Sequence, residues 1–117
     1  MALVMSGERS SGVAVRRRKF GNVPTTVDGH KFASAKEANR YCELRLLERG
    51  HQIVALVLQP RFLIEVNGQK VCTYVGDFSY MEKGRTVVED VKGVETDVFK
   101  LKRKLMRAVH GIDVVTT

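Results

Sequence analysis

Three residues near the middle of the chain have types and spacing suited to chemistry on a phosphate ester. The segment Thr86-Val-Val-Glu-Asp-Val-Lys92 has the β-branched content of a strand and is stopped by Gly93. Successive side chains on a strand point to opposite faces, so Val88, Asp90 and Lys92 share one face while Val87, Glu89 and Val91 share the other. A carboxylate and an ammonium group therefore project together. Asp77 stands thirteen residues upstream of Asp90, near the end of a preceding apolar segment, where strand pairing would bring the two acids together. Converging carboxylates repel unless a cation lies between them, and hard oxygen ligands suit Mg²⁺ or Mn²⁺. A divalent ion polarises a phosphoryl oxygen and lowers the pKa of a bound water. A neighbouring lysine steadies the negative charge that builds during cleavage.

The alternative is a surface ion pair between Asp90 and Lys92, worth under about 1 kcal/mol. The valines around them speak against it, since a strand buried on both faces leaves little room for solvated charge. A third carboxylate, Glu37, lies on a helix face with Tyr41 and Leu44 that ought to pack on this sheet. Its competing role is structural, as the capping-box partner of Ser34. The three histidines, His30, His51 and His110, have no mutual spacing that suggests ligands or a general base.

Ser34-Ala-Lys-Glu37 predicts a helix that runs to about Arg49 and is stopped by Gly50. The run 53–58 is apolar but too short for its periodicity to decide between helix and strand. Arg61–Val66 and Val71–Tyr80 read as two strands around Asn67-Gly68, the second placing Val71, Thr73, Val75 and Asp77 on one face. Residues 21–29 read as loop, with Asp28-Gly29 as a turn signal. A final helix is expected from about Asp97 to His110, docking through Val98, Leu101, Leu105 and Ala108. Its other side would carry Lys100, Arg103, Lys104 and Arg107. Ile112–Val115 follows as a fourth strand. The order gives an α/β core with a mixed sheet flanked by helices.

These residues resemble the signature of the PD-(D/E)XK nuclease superfamily: Asp77, then Asp90-Val-Lys92, with Glu37 matching the first-helix glutamate of many members. Gln59-Pro60 is similar to the Gln-Pro of transposon-end endonucleases in that superfamily. The run from Gly21 through the closing basic helix is similar to a small family of phage and prophage proteins (DUF1064-like). The resemblance implies a restriction-endonuclease-like core with a mixed four-stranded sheet, and Mg²⁺ or Mn²⁺ held by Asp77, Asp90 and the Val91 carbonyl. Lys92 would be the catalytic cation, with Glu37 and Gln59 as further site residues. Gln59 has a plainer alternative as a turn residue ahead of Pro60. Gly76 departs from the proline that often precedes the first aspartate. The second acid is Asp rather than Glu, and Glu89 would face away from Lys92.

Bulk properties bound the partners. The chain has 117 residues, enough for one core, and a net charge of +7 that points to a polyanion. Residues 1–20 carry Arg9, Arg16, Arg17, Arg18 and Lys19 against Glu8 alone, a net +4, and read as a flexible basic arm ahead of a single nuclease domain at 21–117. That arm has a competing, merely solubilising role. No apolar run is long enough to span a bilayer, so no membrane role is expected, and a cytoplasmic location in a bacterial or phage-infected cell is. Cys42 and Cys72 stand thirty residues apart without a second pair for zinc, so two reduced, mostly buried thiols are expected. Neither a helix-turn-helix nor a zinc finger has the spacing it needs. Two functions remain. The first is a metal-dependent DNA endonuclease acting in phage replication or recombination. By analogy with small family members, its DNA would be branched, as for Holliday-junction resolvases, and a homodimer is a natural assembly. The second is a non-catalytic nucleic-acid-binding module that kept the nuclease fold.

Overall fold

The structure, a computed structural model, describes residues 23–117. They fall into two compact units, one ending at Glu43 and the other spanning Leu44–Thr117. In the first, β1 (Thr25–Val27) and β2 (His30–Phe32) form an antiparallel hairpin. The loop expected over residues 21–29 is thus corrected to a strand and a turn from Thr25 onward. Asp28 and Gly29 both take positive φ, 52° and 78°, the turn whose twist suits a two-residue hairpin. Three-residue strands are too short to show alternation, which is why the sequence reads as loop.

Helix α1 (Ala35–Arg49) starts at the expected cap, with the Glu37 amide donating to Ser34 Oγ at 3.2 Å. Its end differs in detail. The amide of Gln52 donates to the Leu47 carbonyl and that of His51 to Glu48, and the left-handed residue is His51 (φ 62°), not Gly50. Cys42 is exposed and Cys72 half-buried, so the expected pair of buried thiols is corrected as well. Both remain free.

The second unit holds a mixed four-stranded sheet in the order β3 (Val54–Leu58), β6 (Phe78–Glu82), β7 (Arg85–Asp90), β8 (Val114–Thr116). The first two pairings are antiparallel and the last is parallel. A separate antiparallel hairpin, β4 (Arg61–Val66) and β5 (Gln69–Val75), turns at Asn67-Gly68. The expected continuous strand Val71–Tyr80 is therefore two strands in two sheets, broken at Gly76-Asp77. Val71, Thr73 and Val75 stay on the hairpin, while Asp77 lies at the crossing point. Alternation along a sequence cannot register such a break, because the residues on both sides keep strand character.

Helix α2 (Asp97–Leu105) is capped by Thr96, whose Oγ1 accepts from the Phe99 amide, and runs into a π-helical turn at Met106–His110. It packs by a different face from the expected one. Phe99 and Met106 are buried in a cluster with Ile64, Tyr74, Val88 and Val114, against which Leu105 is partly packed. Val98 and Leu101 are instead 63% and 58% exposed. Phe99 and Met106 bury more area than two valine-sized groups, and the stems of Lys102 and Arg103 between them can be half-buried while their charged heads find partners. Lys102 Nζ donates to the Thr73 carbonyl on the β5 edge, and His110 Nε2 lies 2.8 Å from the Leu63 carbonyl on β4. No helix among the described residues is long and apolar enough to cross a membrane.

Candidate active site

The end of β7 gathers the acidic residues. Asp90 is its last residue and 5% exposed. Its Oδ2 accepts the hydroxyl hydrogen of Tyr74, and its Oδ1 lies 3.3 Å from Lys92 Nζ. Asp77 reaches the same place from just ahead of the neighbouring strand β6. Its amide donates to the Glu89 carbonyl at 3.0 Å, and its Oδ2 accepts from the Val91 amide at 2.7 Å. One residue thus stitches to both sides of Asp90, by main chain before it and by side chain after it. Gly76 makes the approach feasible: a Cβ there would meet Val88 Cγ1 at 3.0 Å, tighter than ordinary packing allows. The pyrrolidine ring of a proline would crowd the same spot.

Aromatic rings and cations frame the carboxylates. Lys92 Nζ sits 4.3 Å from the centroid of the Phe99 ring and the Arg103 guanidinium carbon 5.3 Å from it, both in cation–π range. Arg103 also pairs with Glu95 at 3.3 Å. Burial holds the Tyr74 phenol well above the ordinary tyrosine range, reinforced by its hydrogen bond to Asp90 and by the charges of Asp90 and Asp77, while Arg103 opposes them. Tyr74 is therefore a neutral donor at physiological pH, and both aspartates act on it electrostatically.

The other expected site residues are placed as follows. Gln59 is exposed and strained (φ 50°), and its amide donates to the Asp77 carbonyl at 2.9 Å. Non-glycine residues seldom adopt this conformation without a local reason. Val91 contributes its amide, which anchors Asp77. Glu37 belongs to the first unit, where its amide takes part in the helix cap. Of the basic stripe, Lys100 and Lys104 are exposed, Arg103 is engaged with Glu95, and Arg107 pairs with Asp113. Arg16, Arg17, Arg18 and Lys19 lie outside the described residues.

Tyr74 and Phe99 were not legible as site residues. The signal for Tyr74 was present: alternation puts Cys72 and Tyr74 opposite Val71 and Thr73, on the inward face of the hairpin. Nothing local marks Phe99, which looks like any aromatic in a helix.

The donor set fits a hard divalent cation in one specific way. Among the described residues no three His, Cys, Asp or Glu side chains converge. Two carboxylates are held at the same strand end, each through one oxygen by an uncharged donor. Mg²⁺ commonly takes one or two protein carboxylates and completes its shell with water and substrate phosphate. Asp90 is almost fully buried and Asp77 partly so, and burying a carboxylate is costly unless an opposite charge and hydrogen bonds compensate it.

Fold and site together define a small α/β protein with a mixed sheet that presents a carboxylate pair and a lysine at one strand end. Residues 17–114 match the family described as Protein of unknown function (DUF1064), and the chain belongs to that family. No curated protein and no solved structure matches it.

Proposed function

We propose that this protein is a metal-dependent DNA endonuclease of the PD-(D/E)XK type, with a restriction-endonuclease-like core. The observation that supports this most is the hydrogen bond from the Val91 amide to Asp77 Oδ2. It ties Asp77 to the residue between Asp90 and Lys92, which supports a shared role for the three groups at one end of β7.

Asp77 and Asp90 would hold Mg²⁺ or Mn²⁺, with the Val91 carbonyl as a further contact. When bound, such an ion supplies Lewis-acid polarisation of a phosphoryl oxygen and a more acidic water. Lys92 sits beside Asp90 Oδ1 and remains partly exposed, with its side chain at 29% accessibility, so a phosphodiester entering from solvent meets its ammonium group. There it offsets charge on a non-bridging oxygen as the phosphorus–oxygen bond breaks. The Phe99 ring limits where the ammonium can swing. Arg103, Lys100 and Lys104 supply contacts to flanking phosphates, with Arg107 and the basic segment Arg16–Lys19 as further candidates. Such contacts grip backbone and carry no base information. Shape is then the natural basis of selectivity, so branched DNA in phage replication or recombination is the proposed substrate, with a homodimer as the acting form in the cytoplasm.

Incubating the full chain with plasmid and with four-way-junction DNA, with and without Mg²⁺ or Mn²⁺, tests this reading. Metal-dependent scission is the expected result. Binding without scission in every metal would establish the non-catalytic module instead.

A further inference from the structure

The hydroxyl of Tyr74 has no part in the chemistry above, yet it contacts one oxygen of Asp90 while Lys92 contacts the other. Tyr74 comes from β5, a strand of the separate hairpin, and its ring is buried with Ile64, Val88, Phe99 and Met106. From there it donates to Asp90 Oδ2, while Oδ1 faces Lys92 at 3.3 Å. A carboxylate turns easily about its last bond, because that torsion has broad wells. One committed oxygen removes this freedom and settles which oxygen is presented where. Asp77 obtains the same service from a main-chain amide, that of Val91. Asp90 obtains it from a side chain on another sheet. The two contacts differ in one practical respect: a side-chain substitution removes the Tyr74 hydroxyl but leaves the Val91 amide in place.

Resting on the nuclease reading of Asp77, Asp90 and Lys92, we propose that Tyr74 is a positioning residue. It fixes the Asp90 carboxylate so that Oδ1, the oxygen beside Lys92, is the one offered to a divalent cation. The hairpin thereby becomes a working part of the site rather than a cover for the core. Hydrogen-bonding partners of ligating groups commonly govern metal affinity in this way, with losses of about 10- to 100-fold on removal.

Two measurements on the full chain test the proposal. In the first, Mn²⁺ binding is followed by calorimetry for the wild type, Tyr74→Phe and Ile64→Val. Tyr74→Phe is expected to bind about 10- to 100-fold more weakly. Ile64→Val trims the same buried cluster and is expected to bind like the wild type. A folded Tyr74→Phe protein with wild-type affinity overturns the proposal, and so does an equal loss in Ile64→Val, which would make the effect one of packing. The second measurement needs no destabilising change: wild-type chain carrying 3-fluorotyrosine is titrated with Mg²⁺ and read by ¹⁹F NMR. The Tyr74 resonance is expected to move with the midpoint of metal binding. A resonance that stays still while Mg²⁺ binds overturns the positioning role and leaves the nuclease reading intact. Absence of Mg²⁺ and Mn²⁺ binding by the wild type overturns both.

Discussion

Strand β7 buries a carboxylate on each of its faces, and each is capped by a tyrosine: Glu89 by Tyr80, Asp90 by Tyr74. Up to that point the two faces are alike. They part in what else arrives. Glu89 is 1% exposed and sits across from the fully buried Phe78. Asp90 has Lys92 at 3.3 Å, and Asp77 is tethered to the next residue. Burial and a tyrosine hydrogen bond are therefore common to both acids and do not distinguish the proposed metal ligand from its neighbour. What is seen at Asp90 is a convergence: Lys92 from two residues further along and Asp77 from thirteen residues before it.

The sharpest test of that contrast exchanges the acids for amides. Asp77→Asn and Asp90→Asn should each reduce Mg²⁺-dependent cleavage to background while circular dichroism stays native. Glu89→Gln should keep its rate per folded molecule. An active Asp90→Asn protein would invert the comparison.

Next in size, Lys92→Ala should slow turnover by about 10²- to 10³-fold, the range seen when a group acting on developing charge is removed. Metal and DNA binding should survive, because the lysine acts on the transition state and not as a ligand. Loss of metal binding in calorimetry would contradict that division of roles.

On the other face, Glu89→Gln should show its effect in stability. The amide introduces donors into a fully desolvated place, at a cost of about 1–3 kcal/mol read from urea unfolding. If unfolding were unchanged, Glu89 would not be the structural counterpart described here.

The smallest effect concerns the rim of the site. Since Arg103 and Arg107 are already paired with Glu95 and Asp113, the cations with most to offer DNA on α2 are Lys100 and Lys104. Replacing both by alanine should flatten the salt dependence of DNA affinity by about one to two in log–log slope. A slope identical to the wild type would make this helix face merely solvated and shift DNA binding to other cations.

Much of this protein was readable one segment at a time. The turn at Asn67-Gly68, the Ser34 cap, the strand ending near Asp90 and the final short strand follow from backbone preferences and short-range hydrogen bonding, which a sequence states directly. Asp90 and Lys92 do come together, at 3.3 Å, but the strand expected to run to Lys92 ends at Asp90, so the contact is made from just beyond it.

Other features depended on which surfaces meet. The break at Gly76-Asp77 is invisible locally, because residues on both sides favour a strand; only the division into two sheets tells where the chain must cross. The docking face of α2 went to Phe99 and Met106 rather than Val98 and Leu101, because lysine and arginine stems can line a buried stripe that residue type alone scores as polar. The two tyrosine caps are further cases: a phenol donor and its acceptor lie sixteen residues apart for Tyr74 and Asp90 and nine for Tyr80 and Glu89. Types and spacing by themselves marked the groups on which the proposed metal and phosphate chemistry rests. Alternation already selected Asp90 over Glu89; tertiary structure decided that Asp77 and Tyr74 arrive beside it, because convergence is a property of packed elements and not of any one of them.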